Sequence, residues 1–137
     1  MELNFLKLED KDYDVLCDYW KAWNFPAPPK SCLPNNGLGG TKIVNEEGTI
    51  ICAGFLYETN SGISWLEFIV SNPDIKDRET RNNALILLIS LLTIEAEEKG
   101  YTAVIASLTN ESLIKKYEQV GYTKNPTSSY ELTITLR

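Results

Sequence analysis

Apolar residues recur along this chain at helical and at strand spacings, and so predict both kinds of element. After Asp10, apolar side chains follow one another every three or four residues, which predicts a first helix. These positions are Val15, Leu16, Tyr19, Trp20 and Trp23. Three prolines end the helix and begin an irregular loop that runs to Gly40. A short strand is expected before the helix, at Leu3, Phe5, Leu6 and Leu8.

Three segments typical of strands follow the loop. The segment TKIVNEE turns at Gly48 into TIICAGFLYE, which predicts a hairpin, and a second turn at 60–62 leads into ISWLEFIV. The two-residue alternation of this third segment predicts two sets of side chains on opposite faces. One set is Trp65, Glu67 and Ile69, and the other is Leu66, Phe68 and Val70.

The second half of the chain alternates between helices and strands. A long helix is expected from about Thr80 to Lys99, because Gly100 stands in the favoured place after a last helical turn. The continuous apolar segment YTAVIASL is typical of a strand inside a sheet. Asn110 begins another helix, ESLIKKYEQV, which Gly121 ends, and the alternating segment SSYELTITL predicts a last strand.

The complete element order is therefore β-α-loop-β-β-β-α-β-α-β. Hairpins followed by a β-α-β-α succession predict an α/β (α+β) fold with a mixed, mostly antiparallel sheet and helices on both faces. A chain of 137 residues without a long linker is expected to form a single domain over residues 1–137.

The chain contains no histidine, and this absence excludes several kinds of chemistry. Ser-His-Asp and Cys-His nucleophile pairs, histidine-bearing zinc sites and histidine general bases all need the missing imidazole. We expect no metal site. Where a base is required, a carboxylate, acting directly or through water, is the natural candidate.

The net charge and the cysteines indicate which partners and which cell compartment to expect. A formal net charge of −6 argues against nucleic-acid partners and against binding to an anionic membrane. The most apolar stretch, 84–94, is too short to span a bilayer. Three cysteines without a C-x-x-C pair predict reduced thiols, most of them small core side chains, in a cytoplasmic protein.

Asn110 also begins a pattern of spaced residues. Leu113 follows three positions later, Tyr117 seven positions later and Gly121-Tyr122 eleven positions later. This pattern resembles the last motif of the GNAT superfamily, the acetyl-CoA-dependent N-acyltransferases. The order of predicted elements is similar to the GNAT fold over nearly the full length. The segments WNFPAPPK and NNGLGG also resemble small GNAT-like proteins encoded by phages.

The resemblance implies transfer of an acetyl group from acetyl-CoA to a primary amine by direct attack. Tyr117 would protonate the departing thiolate, and Glu67 would deprotonate the amine. The backbone of Phe68, Ile69 and Val70 would pair with the pantetheine arm like an added strand. Each side chain has a structural alternative: Tyr117 as a helix residue packed on the sheet, and Glu67 as a solvent-facing or ion-paired carboxylate. Glu58 and Glu131 are weaker candidates for the base.

The pyrophosphate loop departs from the family pattern. GNAT members usually carry Arg or Gln, then Gly three positions later and Gly or Ala five positions later, so that free backbone amides approach the phosphates. Here Arg78 matches the first position, but Arg81 replaces the first glycine. The resemblance implies that the cofactor contacts Arg78, Arg81, Asn82, Asn83 and Asn110. The missing glycines leave a second hypothesis open, an inactive GNAT-fold binding or interaction module.

The acceptor is not identified by the sequence. The resemblance implies that Trp20, Trp23 and Phe25, with the loop after them, form an aromatic wall of the acceptor pocket. Their spacing also fits a helix that packs its apolar stripe on the core. A small metabolite, a peptide N-terminus and a lysine side chain all remain open as acceptors, and so does a homodimer.

Overall fold

The computed structural model describes residues 2–127 and 129–136, and within them five strands form one sheet. The strands are β1 (Asn4–Lys7), β2 (Gly40–Val44), β3 (Ile50–Tyr57), β4 (Ile63–Ser71) and β5 (Ala103–Ile105). They lie side by side in chain order, β1 to β4 antiparallel and β5 parallel to β4. The helices of these residues are α1 (Asp12–Ala22), α2 (Arg78–Glu98) and α3 (Glu111–Val120). The predicted fold class, a mixed and mostly antiparallel sheet with helices, is confirmed.

Helices cover both faces of the sheet. On one face, α2 packs against the central strands and α3 lies beside it. The buried side chains of this core include Ile43, Ile51, Leu66, Leu85, Leu88, Leu92 and Tyr117. On the other face lie α1 and part of the proline-rich loop, with a core that includes Leu8, Leu16, Trp20, Leu33, Phe55 and Val70. β4 is therefore contacted by α1 from one side and by α2 and Tyr117 of α3 from the other.

A buried ion pair fastens α1 to the sheet. The Nζ of Lys42, on β2, lies 2.7 Å from Asp12 Oδ2 in the first turn of α1, and both side chains are 6% exposed. Burial opposes the charge of Lys42, but its hydrogen bonds to Asp12 and Glu9 raise the pKa of the ammonium group above its usual value. Asp12 Oδ2 also accepts a hydrogen bond from the backbone N–H of Glu9, which holds the chain where it enters the helix.

The two later helices begin at side-chain caps that the sequence contains. Asp77 accepts hydrogen bonds from the N–H of Glu79 and the hydroxyl of Thr80, so α2 begins at Arg78. Asn110 accepts one from the N–H of Leu113 and starts α3. These caps satisfy backbone donors of the first turns that have no partner within the helix.

Three predicted strands differ from the structure. The segment TKIVNEE leaves the sheet after Val44, because the side chain of Asn45 accepts hydrogen bonds from the N–H groups of Glu47 and Thr49 and closes a turn there. Only Ala103–Ile105 of YTAVIASL is a strand, and it is the last in the sheet order, not an interior strand.

The last predicted strand, SSYELTITL, is not formed in residues 129–136, and Ser128 lies outside the described residues. Its alternating apolar side chains at Tyr130, Leu132, Ile134 and Leu136 are 80 to 95% exposed. An extended segment gains stability only when a neighbouring strand pairs with its backbone, and no strand of the described sheet does so here. β5 is therefore only half-buried, and the apolar side chains of the last segment are exposed, although both sequences predict strands within a sheet.

The cysteines differ in burial. Cys52 is buried, Cys17 is half-buried and Cys32 is exposed in the proline-rich loop, so the predicted core location describes Cys52 alone. In the part of the chain that the structure describes, no helix has the length and apolarity needed to cross a membrane.

Candidate active site

A β-bulge bends β4 in the middle of the predicted site. Gly54 of β3 alone lies opposite two residues of β4, Phe68 and Ile69. Phe68 has a φ angle of 55°, a left-handed conformation that is rare for a bulky side chain. A Cβ atom at Gly54 would lie 2.9 Å from Ile69 Cγ1, so the glycine makes room for the bulge.

The bulge makes one prediction about β4 wrong. Leu66 and Phe68 were expected on the same face, but Leu66 packs in the core under α2, together with Ile69. Phe68 and Val70 pack on the opposite face, under α1. The extra residue shifts the alternation by one position, and every side chain beyond it changes face.

A gap opens between β4 and β5 just before the bulge. The two strands pair only where Ile63–Trp65 lies beside Ala103–Ile105. From Leu66 to Ser71, no strand of the described residues pairs with β4 on the β5 side. Backbone groups along this stretch, which includes Phe68, Ile69 and Val70, can therefore pair with an extended ligand.

Glu67 and Tyr117, the two predicted catalytic side chains, each bind a backbone group at the start of this gap. The Oε1 of Glu67 accepts a hydrogen bond of 3.1 Å from the N–H of Ser107, in the chain just after β5. Tyr117 is 4% exposed, and its hydroxyl donates a hydrogen bond of 3.2 Å to the carbonyl oxygen of Leu66. Each side chain thus binds a backbone group that a continuous β4–β5 ladder would otherwise have used.

Burial raises the pKa values of both groups. Burial, which outweighs the Ser107 hydrogen bond, raises the pKa of Glu67 from 4.5 to about 7, and the charge of Glu131 adds to the rise. Burial also raises the pKa of Tyr117 strongly, with the nearby charge of Glu67 as the second cause. At neutral pH, Glu67 can therefore take up or release a proton, while Tyr117 keeps the proton that it can donate.

A cavity of about 370 Å³ lies on the α1 side of the sheet and reaches Glu67. We call it the aromatic cavity, because Tyr57, Trp65 and Phe68 form its walls. Cys32 and Glu58 also line it. Tyr57 and Trp65 stand directly opposite each other on β3 and β4.

A second cavity, of about 680 Å³, lies between the N-terminal half of α2 and the length of α3 and is called here the α2–α3 groove. Its wall includes the predicted cofactor residues Arg78, Asn82 and Asn83, with Glu79 as an acidic member. Arg81 is not part of this wall, and its guanidinium donates a hydrogen bond of 2.9 Å to the carbonyl oxygen of Ile75. Asn110 caps α3, as described above. The predicted contacts of Arg81 and Asn110 with a cofactor stay predictions.

Lys115 and Lys116 add positive charge to the α2–α3 groove, and sequence reasoning missed both. Lys116 is 8% exposed and donates hydrogen bonds to the hydroxyl and the carbonyl oxygen of Ser112. Within the described ranges, no carboxylate forms an ion pair with it. Burial and the charges of Arg81 and Arg78 lower the pKa of its ammonium group. A bound anion would stabilise this cluster.

The three aromatic residues predicted for the acceptor wall surround Phe68 or the end of β4. The rings of Trp20 and Phe25 each meet Phe68 edge to face, with centroids 6.5 Å apart. Trp20 is 2% exposed and lies behind Phe68 in the core, whereas Phe25 is 48% exposed. Trp23 donates a hydrogen bond from Nε1 to the carbonyl oxygen of Ser71. Their contact with a substrate stays a prediction.

Tyr57 and Trp65 are aromatic residues of the cavity that sequence reasoning did not assign to the acceptor site. Their signal was present in the hairpin formed by TIICAGFLYE and ISWLEFIV, where correct register places the two rings opposite each other. Their register is set by the turn that joins the two strands, whose end points the sequence pattern did not fix. Lys116 carried no comparable signal, because its burial depends on how α3 packs beside α2.

Solved acetyltransferases have the same fold as this chain. The ribosomal-protein-S18-alanine N-acetyltransferase from Escherichia coli is 18% identical with a TM-score of 0.68, over 90% of this chain and 79% of that one. AAC(6')-Iy, in complex with the bisubstrate analogue CoA-S-monomethyl-acetylneamine, is 12% identical with a TM-score of 0.66, over 98% of this chain and 100% of that one.

A third match is glucosamine-6-phosphate N-acetyltransferase from Arabidopsis thaliana, with 13% identity and a TM-score of 0.64, over 96% of this chain and 99% of that one. No protein-family model and no curated protein sequence matches the chain. The chain therefore has the GNAT fold, established by its structure at low sequence identity.

Proposed function

We propose that this chain is an N-acetyltransferase that uses acetyl-CoA and acetylates a primary amine by direct transfer. The observation that carries the proposal is that Glu67 and Tyr117 each bind a backbone group at the start of the gap between β4 and β5. One group is ready to accept a proton near neutral pH, and the other retains a proton to donate. The solved acetyltransferases of the same fold support this class of reaction.

The residues around the gap fit an extended, polyanionic cofactor. The backbone of Phe68, Ile69 and Val70 would hold the pantetheine arm. Arg78, Asn82 and Asn83 in the α2–α3 groove, with Lys116 and the nearby Arg81, would hold the phosphates. The cations replace charge stabilisation that the missing glycines would otherwise have supplied through backbone amides. Because the groove is suited to an anion, the inactive-module hypothesis is not favoured.

In the proposed reaction, bound acetyl-CoA supplies the thioester carbonyl that the amine attacks. Glu67 accepts a proton from the incoming ammonium group, which leaves a neutral and nucleophilic amine. Tyr117 holds a proton at its hydroxyl on the opposite side of the gap, where it can neutralise a developing thiolate. The acceptor is a small molecule or a peptide amine, and we expect the reaction to take place in the cytoplasm.

The proposal is tested by measuring release of free thiol from acetyl-CoA in the presence of a panel of primary amines. Tyr117→Phe should lower kcat by about 10²–10⁴-fold, the usual contribution of a general acid. Tyr122→Phe is the matched control, because its hydroxyl bonds to Thr93 on α2 and its ring packs against Tyr117 without reaching Leu66. Equal rates for the wild type and Tyr117→Phe would contradict the role of the phenol.

A further inference from the structure

The side chains that line the aromatic cavity indicate the chemical class of the acceptor. We propose that the acceptor is a small primary amine with an apolar or aromatic body and without a phosphate or carboxylate group, bound between Tyr57, Trp65 and Phe68. This inference rests on the proposed function, since it names the class of molecule that meets Glu67.

Two of the three aromatic walls, Tyr57 and Phe68, are held in place without a ligand. The hydroxyl of Tyr57 donates a hydrogen bond of 2.6 Å to the carbonyl oxygen of Cys32, which ties its ring to the proline-rich loop. The ring of Phe68 is packed between Trp20 and Phe25, and its centroid lies 6.3 Å from that of Tyr57. Rigid aromatic walls of this kind bind an apolar body with little loss of side-chain entropy.

The polar groups of the cavity favour a cation. Both Glu67 and Glu58 line the cavity, and of the two only Glu58 is paired with a lysine among the described residues. Aromatic faces next to a carboxylate are a favourable environment for an ammonium group. The ammonium end of the acceptor therefore has a partner at Glu67, while its carbon skeleton has partners in the three rings.

The same groups disfavour an anionic acceptor. No lysine or arginine is among the described residues that line the cavity. The nearby Lys99 is already engaged, since its Nζ lies 2.7 Å from Glu58 Oε2 and 3.3 Å from Glu95 Oε2. A phosphate or carboxylate would lose its hydration beside Glu67 and Glu58 without gaining a cation.

The cavity is open to solvent on one side, so its walls select the part of the acceptor that lies between them. The space of about 370 Å³ beside the three rings is enough for one aromatic or branched aliphatic group next to the amine, as in an arylethylamine.

Cys32 provides a readout that does not depend on catalysis. It is the exposed cysteine of the loop and lines the aromatic cavity, whereas Cys17 is half-buried and Cys52 is buried. The rate at which iodoacetamide alkylates Cys32 can be followed by peptide mass spectrometry in the full chain, without acetyl-CoA. The other two cysteines serve as internal references for the folded state.

Three matched probes separate the chemistry: tyramine, tyrosine, which adds a carboxylate, and tyramine phosphate, which adds a phosphate. We expect millimolar tyramine to slow alkylation of Cys32 at least threefold and the two anionic probes to have no effect. Trp65→Ala, which removes a wall that is 38% exposed, should abolish the protection. Phe5→Ala, an equally simple truncation of an exposed aromatic residue on β1, should retain it.

Protection by tyrosine or tyramine phosphate as strong as that by tyramine would overturn the inference, and so would the absence of protection by tyramine. Protection that persists in Trp65→Ala would also overturn it, because the probe would then bind elsewhere. These measurements use no acetyl-CoA, so their outcome does not depend on transferase activity, which the thiol-release assay tests separately. If the wild-type protein transfers no acetyl group but tyramine still protects Cys32, the proposed function is refuted and the ligand class of the cavity is supported.

Discussion

The carboxyl group of Glu67 is expected to make the stability of the folded protein fall as pH rises from 5 to 9. Its pKa is raised from 4.5 to about 7 by burial, so the folded state binds its proton more tightly than the unfolded chain does. The stability that this group contributes is fully present below its unfolded pKa of 4.5 and decreases as pH rises above that value. The folded state loses that contribution as pH rises through the folded pKa.

The magnitude follows from the difference between the two pKa values. A tenfold change in proton affinity corresponds to about 1.4 kcal/mol, so the interval from 4.5 to about 7 sets an upper limit of about 3 kcal/mol. Solvent reaches part of this carboxylate, and screening reduces the expected effect to about 1–2 kcal/mol. Substitution of Glu67 by Gln removes the titration and keeps a carbonyl oxygen that can accept the Ser107 hydrogen bond.

The absence of histidine makes this effect unusually easy to measure. Ordinary carboxyl groups titrate near pH 4, and thiols, phenols and lysines titrate above about pH 8. Between these values Glu67 therefore accounts for most of the side-chain titration. Urea unfolding, followed by tryptophan fluorescence at pH 5, 6, 7, 8 and 9, gives the free energy of unfolding of each protein. The α-amino group is present in both proteins and cancels in the difference.

We expect the stability of Glu67→Gln relative to the wild type to increase by about 1–2 kcal/mol from pH 5 to pH 9, with most of the increase below pH 8. Glu58→Gln, which removes a carboxylate that is 55% exposed from the same cavity, should keep the pH dependence of the wild type. A difference between Glu67→Gln and the wild type that stays constant from pH 5 to 9 would refute the argument, because Glu67 would then titrate outside this interval.

Three further substitutions test the groove, the ion pair of α1 and the bulge. Lys116→Met should weaken acetyl-CoA binding about tenfold in a calorimetric titration, because one phosphate would lose a charge-assisted hydrogen bond; unchanged affinity would remove Lys116 from the site. Asp12→Ala should lower the free energy of unfolding by about 3 kcal/mol in urea, because it leaves Lys42 buried without its nearest carboxylate; the exposed Asp10→Ala should change it by less than about 1 kcal/mol. Gly54→Ala should cost about 1–3 kcal/mol in the same assay, because its Cβ would lie 2.9 Å from Ile69 Cγ1, and a neutral effect would show that the bulge tolerates a side chain.

Local signals made most of the helices and strands predictable. Asp77 and Asn110 are caps that act on their own helix. Gly121 ends α3 with a φ of 123°, a backbone conformation that favours glycine. Tyr117 could be placed because its position relative to Asn110 is fixed by one helix. In each case the interaction spans fewer than about ten residues, so the sequence contains it.

Features that depend on distant contacts were not predictable. The left-handed Phe68 is opposed by Gly54, and neither residue alone signals a bulge. Burial of Lys116 depends on the packing of α3 beside α2, although the two lysines look like an exposed pair in the sequence. The segment 129–136 gave the opposite error. Its alternation is typical of a strand, but it pairs with no strand of the described sheet.

The central claim, that this chain uses acetyl-CoA, is tested most directly by calorimetric titration of the wild-type protein with acetyl-CoA, with ATP as a control for general polyphosphate binding. The account predicts micromolar binding of acetyl-CoA and much weaker binding of ATP, which lacks the pantetheine arm that the gap between β4 and β5 is proposed to hold. Equal affinity for both would mean that the groove binds phosphates without use of the gap. No binding of acetyl-CoA at several temperatures, together with no thermal shift, would contradict the account.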